Sequence, residues 1–205
     1  MTDAAQERAS VLAARLRDGD TIGDAGGTDS GSVDSTRVVL LDEAGAPIGS
    51  ADKAVVHGPE TPLHLGFSCH VLLDDGRVLV TRRALAKLTF PGVWTNAFCG
   101  HPAPGEPVED AVRRHARDEL GIRLSEPELV LPDFRYRAVD ANGVVEYEVC
   151  PVYLSRAVGE SVPNPAEVAE VAAVAPAALA TALASAPWAF SPWLVEQASR
   201  MPLYR

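Results

Sequence analysis

The chain has 205 residues, 47% of them hydrophobic and 22% charged, with a formal net charge of −10. That length suits one domain with a substantial core, and the acidic balance excludes a surface built to neutralise nucleic-acid phosphates. No apolar run approaches the ~18 residues of a membrane span, no basic start leads into an apolar signal segment, and three cysteines without a CxxC pair fit a reducing, cytoplasmic setting.

Residues 1–36 hold a short helical pattern, Gln6 to Arg17, followed by a run of Gly, Ser and Asp. Such a run buries too little apolar surface to offset its ordering entropy, so a disordered tail is expected, with the domain at 37–205. Val38–Leu41 reads as a strand, residues 42–47 as its turn and Lys53–Pro62 as a loop carrying His57. Leu63–Leu73 reads as one long strand, turning at Asp74-Asp75-Gly76 into a strand over 77–83. Phe90–Trp94 is a turn into a strand that carries Cys99.

Beyond Pro107, Val108, Ala111, Val112, Ala116 and Leu120 recur at three- and four-residue steps, which predicts a helix stopped by Gly121. Strands follow over 134–139 and 144–154, joined by a turn at Asn142-Gly143. Residues 166–200 read as a further strand and Ala-rich helices. The expected fold class is α/β or α+β: a mixed, mostly antiparallel sheet flanked by helices.

Two short segments concentrate reactive groups. Cys99 and His101 are two apart, as are Glu146 and Glu148, and in a strand such pairs share a face. A thiol, an imidazole and two carboxylates could thus meet in one pocket. With His57 and His64 they give a mixed nitrogen and oxygen set suited to Mn, Zn or Fe, although spacing alone equally allows solvated or capping histidines. Arg82, Arg83 and Lys87 form a local basic cluster in an acidic chain, and a helical turn would align Arg83 with Lys87. Cys69 and Cys150 read as buried apolar filler, and Trp94 and Trp188 as core or rim aromatics.

From Gly100 the chain reads G-x5-E-x7-R-H-A-R-D-E-L-G-I, which resembles the Nudix box G-x5-E-x7-R-E-U-x-E-E-x-G-U, U being a bulky apolar residue. Gly100, Glu106, Arg114, Glu119, Gly121 and Ile122 match, but His115 replaces the first helix glutamate and Asp118 another. The phrases Thr61–Ser68, Val80–Ala84, Pro91–Asn96, Cys99–Pro102, Pro132–Arg137, Glu146–Pro151 and Phe190–Trp193 resemble the type 1 isopentenyl-diphosphate isomerases of that superfamily, over residues 37–195.

That resemblance implies a Nudix-like fold and interconversion of isopentenyl and dimethylallyl diphosphates through a carbocation. It assigns Cys99 and Glu148 to opposite faces of the substrate, Tyr136 beside Glu148 as part of the proton donor, and Trp193 as an electron-rich wall. It places one divalent ion, Mn2+ or Zn2+, on His57, His64, His101, Glu146 and Glu148. A Mg2+ falls on Glu119, the Cys99 main chain and the diphosphate, with Lys53, Arg83 and Lys87 binding the phosphates. The family usually carries arginine at the His115 position, facing the diphosphate. The partner implied is a small prenyl diphosphate, with monomer and homodimer both open. A Nudix hydrolase of a diphosphate and a non-catalytic prenyl-diphosphate binder are the alternatives.

Overall fold

The stretch expected as a single strand over 63–73 is two strands in two different sheets, and the break between them, at Gly66, organises the molecule. The computed structural model describes residues 34–205, so nearly all of the expected tail lies outside the described residues. β1 (Arg37–Leu41) pairs antiparallel with β2 (Pro47–Asp52) and with β3 (His64–Leu65). β3 also runs parallel to β11 (Val145–Val149), which pairs with β10 (Arg135–Val139), giving a five-stranded sheet in the order β10-β11-β3-β1-β2.

The larger sheet begins where that one ends. After Gly66 the chain continues as β4 (Phe67–Leu72), and after Cys150 and Pro151 the neighbouring strand continues as β12 (Val152–Val158), parallel to β4. One strand pair therefore passes from sheet to sheet, and the strand expected over 144–154 is likewise split in two. The crossing is held by the Gly66 amide donating to the Val149 carbonyl at 2.9 Å and the Ser68 amide to the Pro151 carbonyl at 3.1 Å. Proline has no N–H to give a ladder, and glycine adds no side chain, so the break falls at residues that tolerate it.

β5 (Val78–Arg83) and β13 (Val168–Val174) extend this sheet on one side. Two short strands, β6 (Trp94–Thr95) and β7 (Phe98–Gly100), lie along β5 and β4 respectively. On the far side β12 also pairs with β8 (Arg123–Leu124) and β9 (Glu128–Leu131), neither of which the sequence pattern had signalled.

Helices cover both faces. α1 (Lys53–Val56) is a single turn inside the expected loop, capped by the Asp52 carboxylate accepting from the Ala54 amide. α2 (Val108–Leu120) follows the expected periodicity and ends at Gly121, which adopts the left-handed conformation with φ 65°. Its stripe of Val108, Ala111, Val112, Ala116 and Leu120 packs in one core with Phe67, Phe98 and Tyr153. α3 (Pro176–Ser185) and α4 (Pro192–Arg200) close a second core around Trp193, Phe134, Tyr136 and Val80. No helix among the described residues is long and apolar enough to cross a membrane.

Candidate active site

Where the strand pair crosses between sheets, a cavity of about 500 Å³ opens. Lys53, His57, Arg83 and Lys87 line it, with Cys99 and His101 from the β7 end, Glu119 from α2, Tyr136, Glu146 and Glu148 from the β10–β11 hairpin, and Trp193 from α4. Of the sequence-predicted site residues only His64 lies behind this surface, fully buried.

The imidazoles and carboxylates converge at one end. His57 Nε2 is 3.2 Å from Glu146 Oε2, His101 Nε2 is 3.0 Å from Glu148 Oε1, and the Nε2 atoms of His64 and His101 are 3.2 Å apart. His64 Nδ1–H donates to the Pro62 carbonyl at 2.9 Å, which turns its Nε2 lone pair toward the cluster. One ligand atom from each of His57, His64, His101 and Glu146 falls within 4.8 Å of all the others. His57 Nε2 and Glu146 Oε2 are buried without a well-formed hydrogen bond. Four nitrogen and oxygen ligand atoms within one small buried volume, two of them without a hydrogen-bond partner, fit a divalent cation better than capping or solvation.

Glu148 stands directly across the ladder from both His64 on β3 and Tyr136 on β10. A Cβ at Gly66 would lie 2.3 Å from Glu148 Oε2, so the carboxylate occupies space that only glycine leaves open. Burial of Glu148 opposes its ionisation, but the His101 and His64 imidazoles beside it outweigh that and hold the carboxyl well below its usual range. The Tyr136 hydroxyl is pushed well above its usual range by burial and by the Glu148 charge.

Cys99 is held from two directions. Its thiol donates to Asn96 Oδ1 at 3.3 Å, and the Ser68 hydroxyl lies 3.2 Å from the sulfur. Burial pushes the thiol up to about 12, only partly offset by the Ser68 hydrogen bond. Asn96 Oδ1 also accepts from Trp193 Nε1 at 3.1 Å, which ties the indole to the thiol's own anchor. Trp193 packs against Tyr136 and Phe90, with ring centroids 5.4 and 5.1 Å away. Trp193 and Tyr136 thus give the cavity an aromatic side, backed by Phe90.

Cations gather at the other end. Arg83 donates to the Thr89 carbonyl at 2.8 Å, and its guanidinium lies over the Trp193 ring at 5.7 Å. Lys87 pairs with Glu167, and Lys53 reaches in from α1. The expected alignment of Arg83 and Lys87 by a helical turn does not occur: Arg83 ends β5 and Lys87 sits in a turn closed by its amide bonding the Ala84 carbonyl. Arg82 points elsewhere, to Glu170 on β13. Beside the cations, Glu119 accepts from His115 Nδ1 at 2.7 Å. Its burial works against ionisation, yet His115, Lys87 and Arg83 hold its carboxyl below the usual range.

The loop between β7 and α2 is clamped by Arg114, which binds Glu106 through two nitrogens at 2.9 and 2.7 Å and the His101 carbonyl at 3.3 Å. The matched glutamate and arginine of the box thus fix His101 to the helix. A NUDIX domain model matches residues 62–194. Isopentenyl-diphosphate Delta-isomerase from Agromyces mediolanus is 63% identical over 165 residues, 80% of each chain. That from Paenarthrobacter aurescens is 62% identical over 157 residues, 77% of this chain and 85% of the relative. The chain belongs to the isopentenyl-diphosphate Delta-isomerase family, within the NUDIX superfamily. The crystal structure of DR0079 from Deinococcus radiodurans shares the fold, with a TM-score of 0.63 at 22% identity over 82% of this chain and 99% of that one.

His115 stands where the Nudix box has its first helix glutamate. Its ring is buried, with a Cβ at Gly100 placed 2.5 Å from it, and its Nδ1 is committed to Glu119. It borders the cavity but spends its hydrogen bond on the acid rather than on an incoming anion. Trp188 is 85% exposed and is neither core nor rim, while Cys69 and Cys150 are fully buried as expected. Asn96, Ser68 and Gly66 are functional neighbours that residue chemistry did not single out. All three lay inside the matched phrases, but none carries a charge or nucleophile to flag it.

Proposed function

We propose that this protein interconverts isopentenyl and dimethylallyl diphosphates by adding a proton to one carbon and removing one from another. The observation that carries this reading is the shared cavity of Cys99, Glu148, Tyr136 and Trp193, with three cationic side chains around the same space. Protonating the terminal methylene of the alkene leaves a tertiary carbocation. Loss of a proton from the carbon next to the diphosphate-bearing one then gives the internal double bond.

In the forward direction the Glu148–Tyr136 pair delivers the proton and the Cys99 sulfur takes the other. One turnover leaves a protonated sulfur and an ionised carboxylate, which by microscopic reversibility act on dimethylallyl diphosphate; loss of the thiol proton and return of a proton to the Glu148 side ready the site for isopentenyl diphosphate again. The indole of Trp193 stabilises the cation by roughly 1–2 kcal/mol in a dry site. Exclusion of water by the aromatic wall prevents capture of the cation as an alcohol.

Lys53, Arg83 and Lys87 bind the diphosphate, Arg83 through a planar guanidinium suited to two oxygens at once. His57, His64, His101, Glu146 and Glu148 would hold a Mn2+ or Zn2+, and Glu119 with the Cys99 main chain a Mg2+. Such ions supply fixed positive charge and ligand rigidity. A hydrolytic reading is not favoured, because His115 takes a helix position where the Nudix box has glutamate. Incubation with isopentenyl diphosphate and Mg2+ in deuterated water tests the proposal: an isomerase incorporates deuterium, a hydrolase releases phosphate and a binder does neither.

A further inference from the structure

A second polar system touches Cys99 from the protein interior. Ser68 stands opposite Cys99 in the β4–β7 ladder. Gln197 Nε2 donates to the Ser68 hydroxyl oxygen at 2.9 Å. Gln197 Oε1 faces His70 Nε2 at 3.0 Å, and His70 Nδ1 faces the Tyr204 hydroxyl at 2.7 Å. Ser68 and Gln197 are completely buried, His70 is 2% exposed and Tyr204 8%. Four polar side chains in an apolar interior are each satisfied only by the next one along.

The donors run one way. Burial lowers the His70 pKa to about 4, so its ring is neutral near neutral pH and carries a single N–H. Gln197 Oε1 can only accept, which puts that hydrogen on Nε2 and leaves Nδ1 to accept from Tyr204 O–H. The Gln197 amide then donates to Ser68. The Ser68 proton is left for the nearer of two sulfurs, Cys99 at 3.2 Å rather than Cys150 at 3.5 Å.

We propose that Tyr204, His70, Gln197 and Ser68 form a polarised hydrogen-bond chain that presents the Ser68 proton to Cys99 Sγ, making Ser68 a positioning residue for the reacting sulfur. The proposal rests on the isomerase reading of the cavity. A sulfur that accepts from Ser68 and is anchored by Asn96 keeps one orientation, and charge on it is stabilised as it appears. None of these four residues lines the cavity, so loss of the chain acts on turnover and leaves substrate binding alone.

Steady-state isomerisation by the wild-type chain and by Ser68→Ala, Ser68→Thr and Tyr204→Phe, with thermal unfolding of each, tests this. Wild-type turnover separates the two claims, since a wild type that does not isomerise rejects the function itself. With an active wild type, Ser68→Ala lowers kcat about tenfold or more while KM stays within about twofold, as loss of a hydrogen bond to a charged group requires. Ser68→Thr, which keeps the hydroxyl, restores most of that loss. Tyr204→Phe removes one oxygen at the chain's far end and lowers kcat by about two- to threefold at unchanged KM, as loss of a weak hydrogen bond would. A Ser68→Ala enzyme with wild-type kcat, or a deficit seen in KM or not restored by threonine, overturns the proposal. Should Ser68→Ala fail to fold, an unchanged kcat in Tyr204→Phe overturns it alone.

Discussion

Adding one methyl group at Gly66 should disable the site without replacing any reactive side chain. The Cβ of Gly66→Ala would lie 2.3 Å from Glu148 Oε2 and 2.6 Å from Cδ. To regain ordinary van der Waals contact the carboxylate must retreat by roughly 1 Å. The backbone cannot yield instead, because the Gly66 amide is bonded to the Val149 carbonyl at 2.9 Å in the strand crossing. Glu148 is 4% exposed, and its Oε1 is fixed by His101 at 3.0 Å and His64 at 3.5 Å, so retreat breaks that geometry. A displacement of that size in a catalytic group costs on the order of 100-fold in turnover. Overpacking itself costs about 1–3 kcal/mol, which for a domain this long lowers Tm by about 2–4 °C per kcal/mol. The assay is deuterium incorporation into isopentenyl diphosphate followed by NMR, with calorimetry alongside. A variant with near-normal kcat and a depressed Tm would refute the reasoning, because the carboxylate would have moved without consequence.

Cys99→Ala and Glu148→Gln each abolish deuterium incorporation while circular dichroism and diphosphate binding stay near wild type; near-normal turnover in either removes that residue from the mechanism. Trp193→Phe keeps part of the rate through its π-face and Trp193→Leu keeps less, by about tenfold for a cation–π contribution of 1–2 kcal/mol; equal rates exclude cation stabilisation. His57→Ala lowers the content of bound transition metal measured after dialysis, and an unchanged content would place the ion elsewhere. His70 gives a pH dependence: burial depresses its pKa from the ordinary 6.5 to about 4. Below pH 6.5 the unfolded chain takes up a proton that the folded chain refuses, so stability falls between about pH 6.5 and 4, by up to about 3 kcal/mol. Denaturant unfolding across that range, wild type against His70→Gln, should show the variant's slope reduced; identical slopes would refute it.

Sequence by itself determined the helix over 108–120 and its glycine stop, the hairpins at Gly76 and Gly143, and the residue types of many groups that line the cavity. Those are local properties: period, turn chemistry and the few residue types able to move protons or bind metal. It also paired Glu146 with Glu148 on one face, because strand alternation is a short-range rule. What only the tertiary structure decided is where continuous apolar runs break. Leu63–Leu73 and Val144–Leu154 read as single strands because both faces of each are buried, and no periodicity marks the change of sheet. The crossing at Gly66 and Pro151 depends on two strands distant in sequence lying side by side, which local pattern cannot encode. The same holds for the groups around the sulfur. Asn96, Ser68, Gln197 and His70 are ordinary polar residues along the chain, and their roles arise from burial that removes water and leaves each only its protein neighbours as partners.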